Sequence, residues 1–224
     1  MTGRSGPPPA GFRSSSRSVE YPLDSANPDR LWPFKEALRI LDSYKVLGSR
    51  TLDNGTQLIG PAPHVAPEAW LHLVFPPLTP DQVGELESKI GIRFPDDLRA
   101  FFAITNGVGV FCDSLCVGGR RTSYVRQGDA VWQPFDIVNP NTKERPRFLH
   151  RDEIRLGSYK WDGSIICINP SGEVMRLPRS NRQVLNRWTS FNSWFVTEVQ
   201  RLVQLFDDRG RLKHPELITT PPEN

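Results

Sequence analysis

The stretch from Leu78 to Gly107, LTPDQVGELESKIGIRFPDDLRAFFAITNG, constrains the fold more than any other, because helix start and stop signals alternate along it. Thr79 is an N-cap type and Pro80 suits the first helical position. Gln82, three residues after the cap, can reach back to the cap N–H and complete a capping box. Leu78 and Val83 are placed to close a hydrophobic staple, and Val83, Leu86 and Ile90 make one apolar stripe. Gly91 supplies the left-handed stop, after which Ile92 can fold back on Leu86. Pro95 then opens a second helix with Asp96 and Asp97 in the first turn, where the macrodipole favours carboxylates. Leu98, Phe101, Phe102 and Thr105 line its inner face. Asn106 and Gly107, both tolerant of positive φ, end it before a strand-like Val108, Val110 and Phe111.

Around this helix pair the chain divides by composition. Residues 1–26 are rich in Ser, Pro, Gly and Arg and carry too few apolar groups to offset the entropy of ordering, so a mobile tail is expected. In an N-terminal extension, 27–75, Asn27 or Asp29 can cap a helix near 31–47. Its stripe is Phe34, Leu38, Leu41 and either Ile40 or Tyr44, and Gly48 is its stop. Asp53-Asn54-Gly55-Thr56 between Leu52 and Leu58 is a type I′ hairpin signal, whereas residues 68–75 permit either a strand or a helical turn. Beyond the helix pair come short β-prone runs at 108–117, 123–125, 131–132 and 137–138. A better-marked antiparallel meander follows at 154–159, 164–168 and 173–177. Thr189 or Ser190 caps a last helix whose Phe191, Trp194, Phe195, Val199, Leu202, Val203 and Phe206 share a face, and 207–224 is read as a polar tail. The fold class is therefore α+β, with helices packed on one face of a mostly antiparallel sheet.

The order of these motifs resembles the SUKH superfamily, the group of the yeast cell-wall assembly regulator and of many bacterial immunity proteins. The resemblance is carried by the capped Leu78-Thr79-Pro80 helix, the Ile90-Gly91-Ile92 stop, Pro95 through Phe102, and Asn106-Gly107. It continues in Asp162-Gly163-Ser164 with its apolar strand, in Gly172-Glu173-Val174, and in the closing helix around Phe191 to Phe195. It spans roughly 76–206; Leu98 stands where an aromatic residue is common, and 112–153 matches little. The resemblance implies a SUKH-like domain at 76–206, with Thr79, Pro80, Gly91, Pro95, Phe101, Asn106 and Gly107 as its fold-defining residues.

Chemistry is sparse. The four histidines are scattered, with no HExxH and no pair four residues apart, and Cys112 and Cys116 have CxxxC spacing, so neither a metal nor a disulfide framework is expected. No GxSxG elbow, Walker loop or complete dinucleotide fingerprint occurs, and His150-Arg151-Asp152-Glu153 reads as a solvated loop. No cofactor and no small-molecule substrate are expected. A net charge of +3 is too small to argue for nucleic acid. No apolar run approaches the roughly 18 residues of a membrane helix, and three cysteines suit a reducing compartment, so a cytoplasmic location is expected.

What remains is a basic and aromatic surface. Arg120, Arg121 and Arg126 lie near Tyr124 and Trp132. Arg179 and Arg182 belong to an arginine run without an intervening carboxylate, and Tyr159, Trp161 and Asp162 mark a tight turn. These ten are the candidate partner-binding residues, since Arg, Tyr and Trp anchor interfaces; the plainer reading of the arginines is a solvated loop with snorkelling stems, and of Trp161 a cover for the core's edge. The resemblance implies a non-enzymatic domain that binds and neutralises a cognate bacterial toxin. The slight positive charge favours a target other than a nuclease. The alternative is an intracellular regulatory scaffold related to the yeast regulator, favoured by the Pro/Ser/Arg tail.

Overall fold

The computed structural model describes residues 28–125 and 127–223, and of 28–33 the backbone alone. The expected tail at 1–26, the alternative cap Asn27 and Arg126 lie outside the described residues. Helix α1 (Pro28–Asp42) begins and ends earlier than its periodicity suggests and tightens into a 3-10 turn, Ser43–Leu47, before stopping at Gly48. Phe34, Ala37, Leu41 and Tyr44 are buried, so the stripe runs through Tyr44 and leaves Ile40 at its edge.

Strands β1 (Ser49–Thr51) and β2 (Gln57–Pro61) pair across the expected hairpin, but its turn is not type I′. Gly55 alone has positive φ, and the Gly55 N–H reaches the Leu52 C=O at 2.9 Å. Asn54 keeps an ordinary backbone because its side chain makes the turn: Oδ1 accepts the Thr56 N–H and Nδ2 donates to the Trp132 C=O. The ambiguous 68–75 resolves as strand β3, Trp70–Val74.

Helix α2 (Pro80–Ile90) has both bonds of the capping box, Gln82 N–H to Thr79 Oγ1 at 3.3 Å and Thr79 N–H to Gln82 Oε1 at 2.9 Å. Gly91 takes φ 77°, and the Ile92 N–H reaches back to the Glu87 C=O at 3.2 Å, the six-to-one bond of a Schellman stop. Thr79→Ala removes the cap acceptor and should lower stability by about 1 kcal/mol in a urea melt; no loss would mean that the cap is bypassed by water.

Helix α3 (Asp96–Phe102) ends at Ala103, before the predicted stop. Gly107, at φ 91°, does have the left-handed conformation, and a Cβ there would meet the Val117 C=O at 2.6 Å. Asn106 does not have positive φ. Its side chain instead ties the helix pair to the next loop, donating to the Arg120 C=O at 2.9 Å and accepting the Arg120 N–H at 2.6 Å.

The expected strand run at 108–117 is a hairpin, β4 (Val108–Val110) and β5 (Leu115–Val117). They are joined by a turn in which Phe111, Cys112 and Asp113 all have positive φ, at 48°, 52° and 65°. The predicted runs at 123–125, 131–132 and 137–138 form no strands. Polar side chains take up their backbone instead: Gln133 Oε1 accepts the N–H groups of Thr122 and Ser123, and Asp136 accepts those of Val138 and Asn139.

Beyond this loop the meander is as predicted, β6 (Ile154–Tyr159), β7 (Ile165–Ile168) and β8 (Val174–Leu177), followed by an unforeseen edge strand β9, Asn186–Trp188. Among the described residues all nine strands are antiparallel and lie in chain order, so the N-terminal extension is continuous with the sheet through β3 and β4. Helix α4 (Phe191–Leu205) is capped by Ser190, whose side chain accepts the Ser193 N–H at 3.0 Å.

The four helices bury one face of this sheet. Phe34 of α1, Phe101 of α3 and Phe191 and Phe195 of α4 meet as a nest of rings 5.0–6.3 Å apart, over Ile166, Ile168 and Val174 of the sheet. The opposite face has a smaller cover in which Leu149 and Phe148 lie on Ile165, Cys167, Met175 and Leu177. Residues 207–223 are not a free tail. Leu212 bridges back to Phe206, and Thr219, Thr220 and Pro221 are buried, with Arg201 of α4 binding the Thr219 carbonyl and Arg176 of β8 the Pro221 carbonyl.

Candidate partner-binding surface

The ten candidate residues do not form one surface. Tyr159, expected in recognition, is fully buried instead: its hydroxyl donates to Glu198 Oε2 at 2.7 Å and accepts from Trp194 Nε1 at 3.3 Å. Burial, reinforced by the Glu198 carboxylate, pushes its phenol well above the ordinary range, so Tyr159 remains a neutral donor in the core. Asp162 is paired with Arg176 beneath the same turn. Burial acts to raise its carboxyl, but hydrogen bonds from Ser164 and Arg176 outweigh that and hold it below the usual range. Trp161 is exposed and stands over a separate groove of about 700 Å³, shared with Phe111, Cys112, Lys160 and the Phe206–Leu212 turn.

Arg120, Arg121, Tyr124 and Trp132 belong to the loop between β5 and β6. Arg120 is held by Glu85 of α2 at 2.9 Å. Arg121 lies 4.9 Å from the Tyr124 ring centroid and donates to the Ser123 C=O. Trp132 is half-buried, its carbonyl taken by Asn54. The Tyr124 hydroxyl donates to Asp136 at 2.8 Å, which fixes the ring while leaving it 62% exposed. Phe135 on the same loop is 54% exposed, and Val125 and Val131 are exposed as well, so the loop presents an apolar rim to solvent.

This rim borders a cup of about 270 Å³ on the side of the sheet away from the helices. Arg155 faces into it. The register opposes Arg155 to Cys167, a residue of the small outer cluster, while Ile154 and Leu156 on either side of it belong to the helix-side core by ordinary alternation. Tyr124, Phe135, Asp136, Asn139 and Glu144 also line the cup. Arg182 reaches the same region but is neutralised, with both terminal nitrogens 2.6 Å from the two oxygens of Glu153; Arg179 is exposed and close enough to act on Arg155 through its charge. Burial lowers the Arg155 guanidinium from its ordinary value, and Arg179 adds to that, while Glu144 acts the other way.

Sequence reasoning missed Arg155 and Phe135. The spacing of β6 does put Arg155 on the face opposite Ile154 and Leu156, but that this face is a cup follows from the irregular loop over it. Cys167 and Cys112 offer no nucleophile, because burial pushes their thiols up to about 12 and about 11. No group of His, Cys, Asp and Glu that could hold a metal occurs among the described residues, and none of their helices is long and apolar enough to cross a membrane.

Among the described residues, four helices on one face of a sequentially ordered antiparallel sheet, with an aromatic and basic cup on the other, make this an α+β domain. The chain belongs to the SMI1 / KNR4 family (SUKH-1), whose family model matches residues 77–197. No curated protein matches the chain. The matched span begins just before α2 and ends within α4, so it contains the cup and its rim.

Proposed function

We propose that this chain is a non-enzymatic protein-binding domain and that it acts as an immunity protein, occluding a cognate bacterial toxin domain with the helix-free face of its sheet. The observation that carries this reading is the pair of exposed rings, Tyr124 and Phe135, that line a cup together with the half-buried Arg155, on a face that the four helices leave open. Aromatic residues and arginine in and around a concavity are the usual makings of a binding hot spot. Membership of SUKH-1 supports the same reading, as does a shortage of chemical means: the buried thiols are un-ionised, and Arg182 and Glu153 are consumed by each other. Inhibition would then be steric, with the arginines steering an acidic partner.

Co-expression with the toxin gene adjacent to its own should restore growth. Continued killing while the protein remains folded and abundant would overturn the reading. The regulatory-scaffold reading rests on the Ser/Pro/Arg-rich residues 1–26 and predicts the opposite dependence: partner capture would vanish when that segment is removed, whereas an occluding domain would retain its toxin.

A further inference from the structure

Among the described residues, the buried and half-buried arginines are partnered with one exception. Arg99 has Glu87, Arg120 has Glu85, Arg176 has Asp162, Arg182 has Glu153 and Arg201 has Glu198. Arg121 has the Tyr124 ring, and Arg145 donates to the carbonyls of His150 and Glu153. Arg155 is half-buried, yet among the described residues its guanidinium has neither an ion pair nor a hydrogen bond; only its backbone N–H is used, by Asn141 Oδ1 at 2.7 Å. A desolvated charge without an acceptor is unfavourable and calls for a counter-charge from elsewhere.

The groups facing it do not supply one. Asp136 is consumed, accepting from the Tyr124 hydroxyl and from two backbone N–H groups. Glu144 lines the cup from its exposed edge but forms no ion pair with Arg155. Arg179 adds a second positive charge nearby. The cup, at about 270 Å³, greatly exceeds the roughly 30 Å³ share of a single water, and its mouth is flanked by the exposed rings of Tyr124 and Phe135.

We propose that Arg155 is the anchor of this surface and that the cup receives a glutamate or aspartate side chain of a protein partner, with apolar neighbours of that carboxylate resting on Tyr124 and Phe135. This rests on the protein-binding reading above and gives the partner its chemistry. A guanidinium presents a planar fork to a carboxylate, and a pair formed in a concavity that excludes water holds more tightly than one on an open surface.

The test is a titration of the isotope-labelled full chain with acetyl-Leu-Glu-Leu-amide, and with acetyl-Leu-Gln-Leu-amide as its uncharged twin, followed by NMR. Saturable shifts are expected at the Arg155 side-chain N–H and at the amides of Tyr124 and Phe135, with the glutamine peptide bound about ten-fold more weakly. Arg155→Gln should erase the difference between the peptides, Arg155→Lys should keep part of it, and Glu144→Gln should tighten the acidic peptide by about threefold. Equal response to both peptides, shifts confined to the exposed Arg179 loop, or no saturable response would each overturn the proposal. No toxin is present in this titration. Failure of co-expression rescue with an intact peptide response would therefore sink the immunity reading alone, and the reverse pattern would sink only the assignment of Arg155.

Discussion

Replacing Arg176 by alanine should destabilise the protein by about 3–5 kcal/mol and release the C-terminal segment from the sheet. Arg176 sits on β8, 3% exposed, opposite Ile166 on the helix-covered face. Its Nε donates to Ser164 Oγ at 2.8 Å, one terminal nitrogen serves both Asn186 Oδ1 at 2.9 Å and the Pro221 C=O at 2.6 Å, and the other pairs with Asp162. The guanidinium also lies 5.6 Å from the Tyr159 ring centroid. A single side chain thus satisfies four acceptors, and its loss leaves those at the buried Ser164, Asn186 and Pro221 without it at once. The neighbouring contacts are too few to hold the segment alone: Asn186 Nδ2 to the Pro222 C=O at 2.7 Å and Arg201 to the Thr219 C=O at 2.7 Å. Urea denaturation measures the stability, and limited proteolysis near Ile218 reports release. A loss under about 1 kcal/mol, the level of one ordinary hydrogen bond, would mean that water replaces the guanidinium.

That network also shows why part of the fold could be read from the sequence and part could not. The helix pair at 78–107 was legible because its signals are local: Thr79 with Gln82, and Gly91 with Ile92, interact within one turn of each other. The meander was legible because Ile154, Leu156, Ile166, Ile168 and Val174 follow strand periodicity. Arg176, by contrast, stands in the sequence among exposed arginines of a seemingly basic run. Its partners Asp162, Asn186 and Pro221 come from three other segments, so nothing local marks it as buried. The same cause put Tyr159 on a predicted surface and left 207–224 as a tail. The loop at 118–141 misled for a different reason: its β-prone residues are real, but Gln133, Asp136 and Asn141 satisfy the backbone by side chain and pre-empt strand pairing. Of the candidate site, Tyr124, Arg179 and Arg182 were visible as residue types, whereas Arg155 acquires its character only from what it lacks after folding.

Below pH 6.5 the protein should lose stability through His72 at a limiting rate of about 1.4 kcal/mol per pH unit, and substituting this residue by asparagine should remove that component. His72 is wholly buried in β3, ringed by Tyr44 at 5.1 Å and Phe111 at 4.5 Å between centroids. Its Nδ1 accepts the Phe111 N–H at 3.3 Å, so the proton resides on Nε2, which has no hydrogen-bond partner among the described residues. Burial drives its folded pKa down from 6.5 to about 3. Above 6.5 both folded and unfolded chains hold the imidazole neutral, and the contribution is fully present. Between 6.5 and about 3 only the unfolded chain binds the proton, so stability falls with acidification; below that both are charged and the loss levels off. Protonating Nδ1 in place would also forfeit the bond to Phe111, the first of the three left-handed residues of the β4–β5 turn. Each of those residues carries roughly 1–2 kcal/mol of backbone strain, so the turn depends on such anchors, the Cys112 N–H to Leu71 C=O bond at 2.8 Å being another. Asparagine can offer an acceptor near the Nδ1 position but cannot titrate. The stability difference between the wild type and His72→Asn, from urea melts at pH 7 and pH 4, should therefore shift by about 3 kcal/mol in favour of the variant, carboxylate effects cancelling between the two chains. An unchanged difference would mean that the folded protein takes up the proton as readily as the unfolded chain, with the turn opening to admit it.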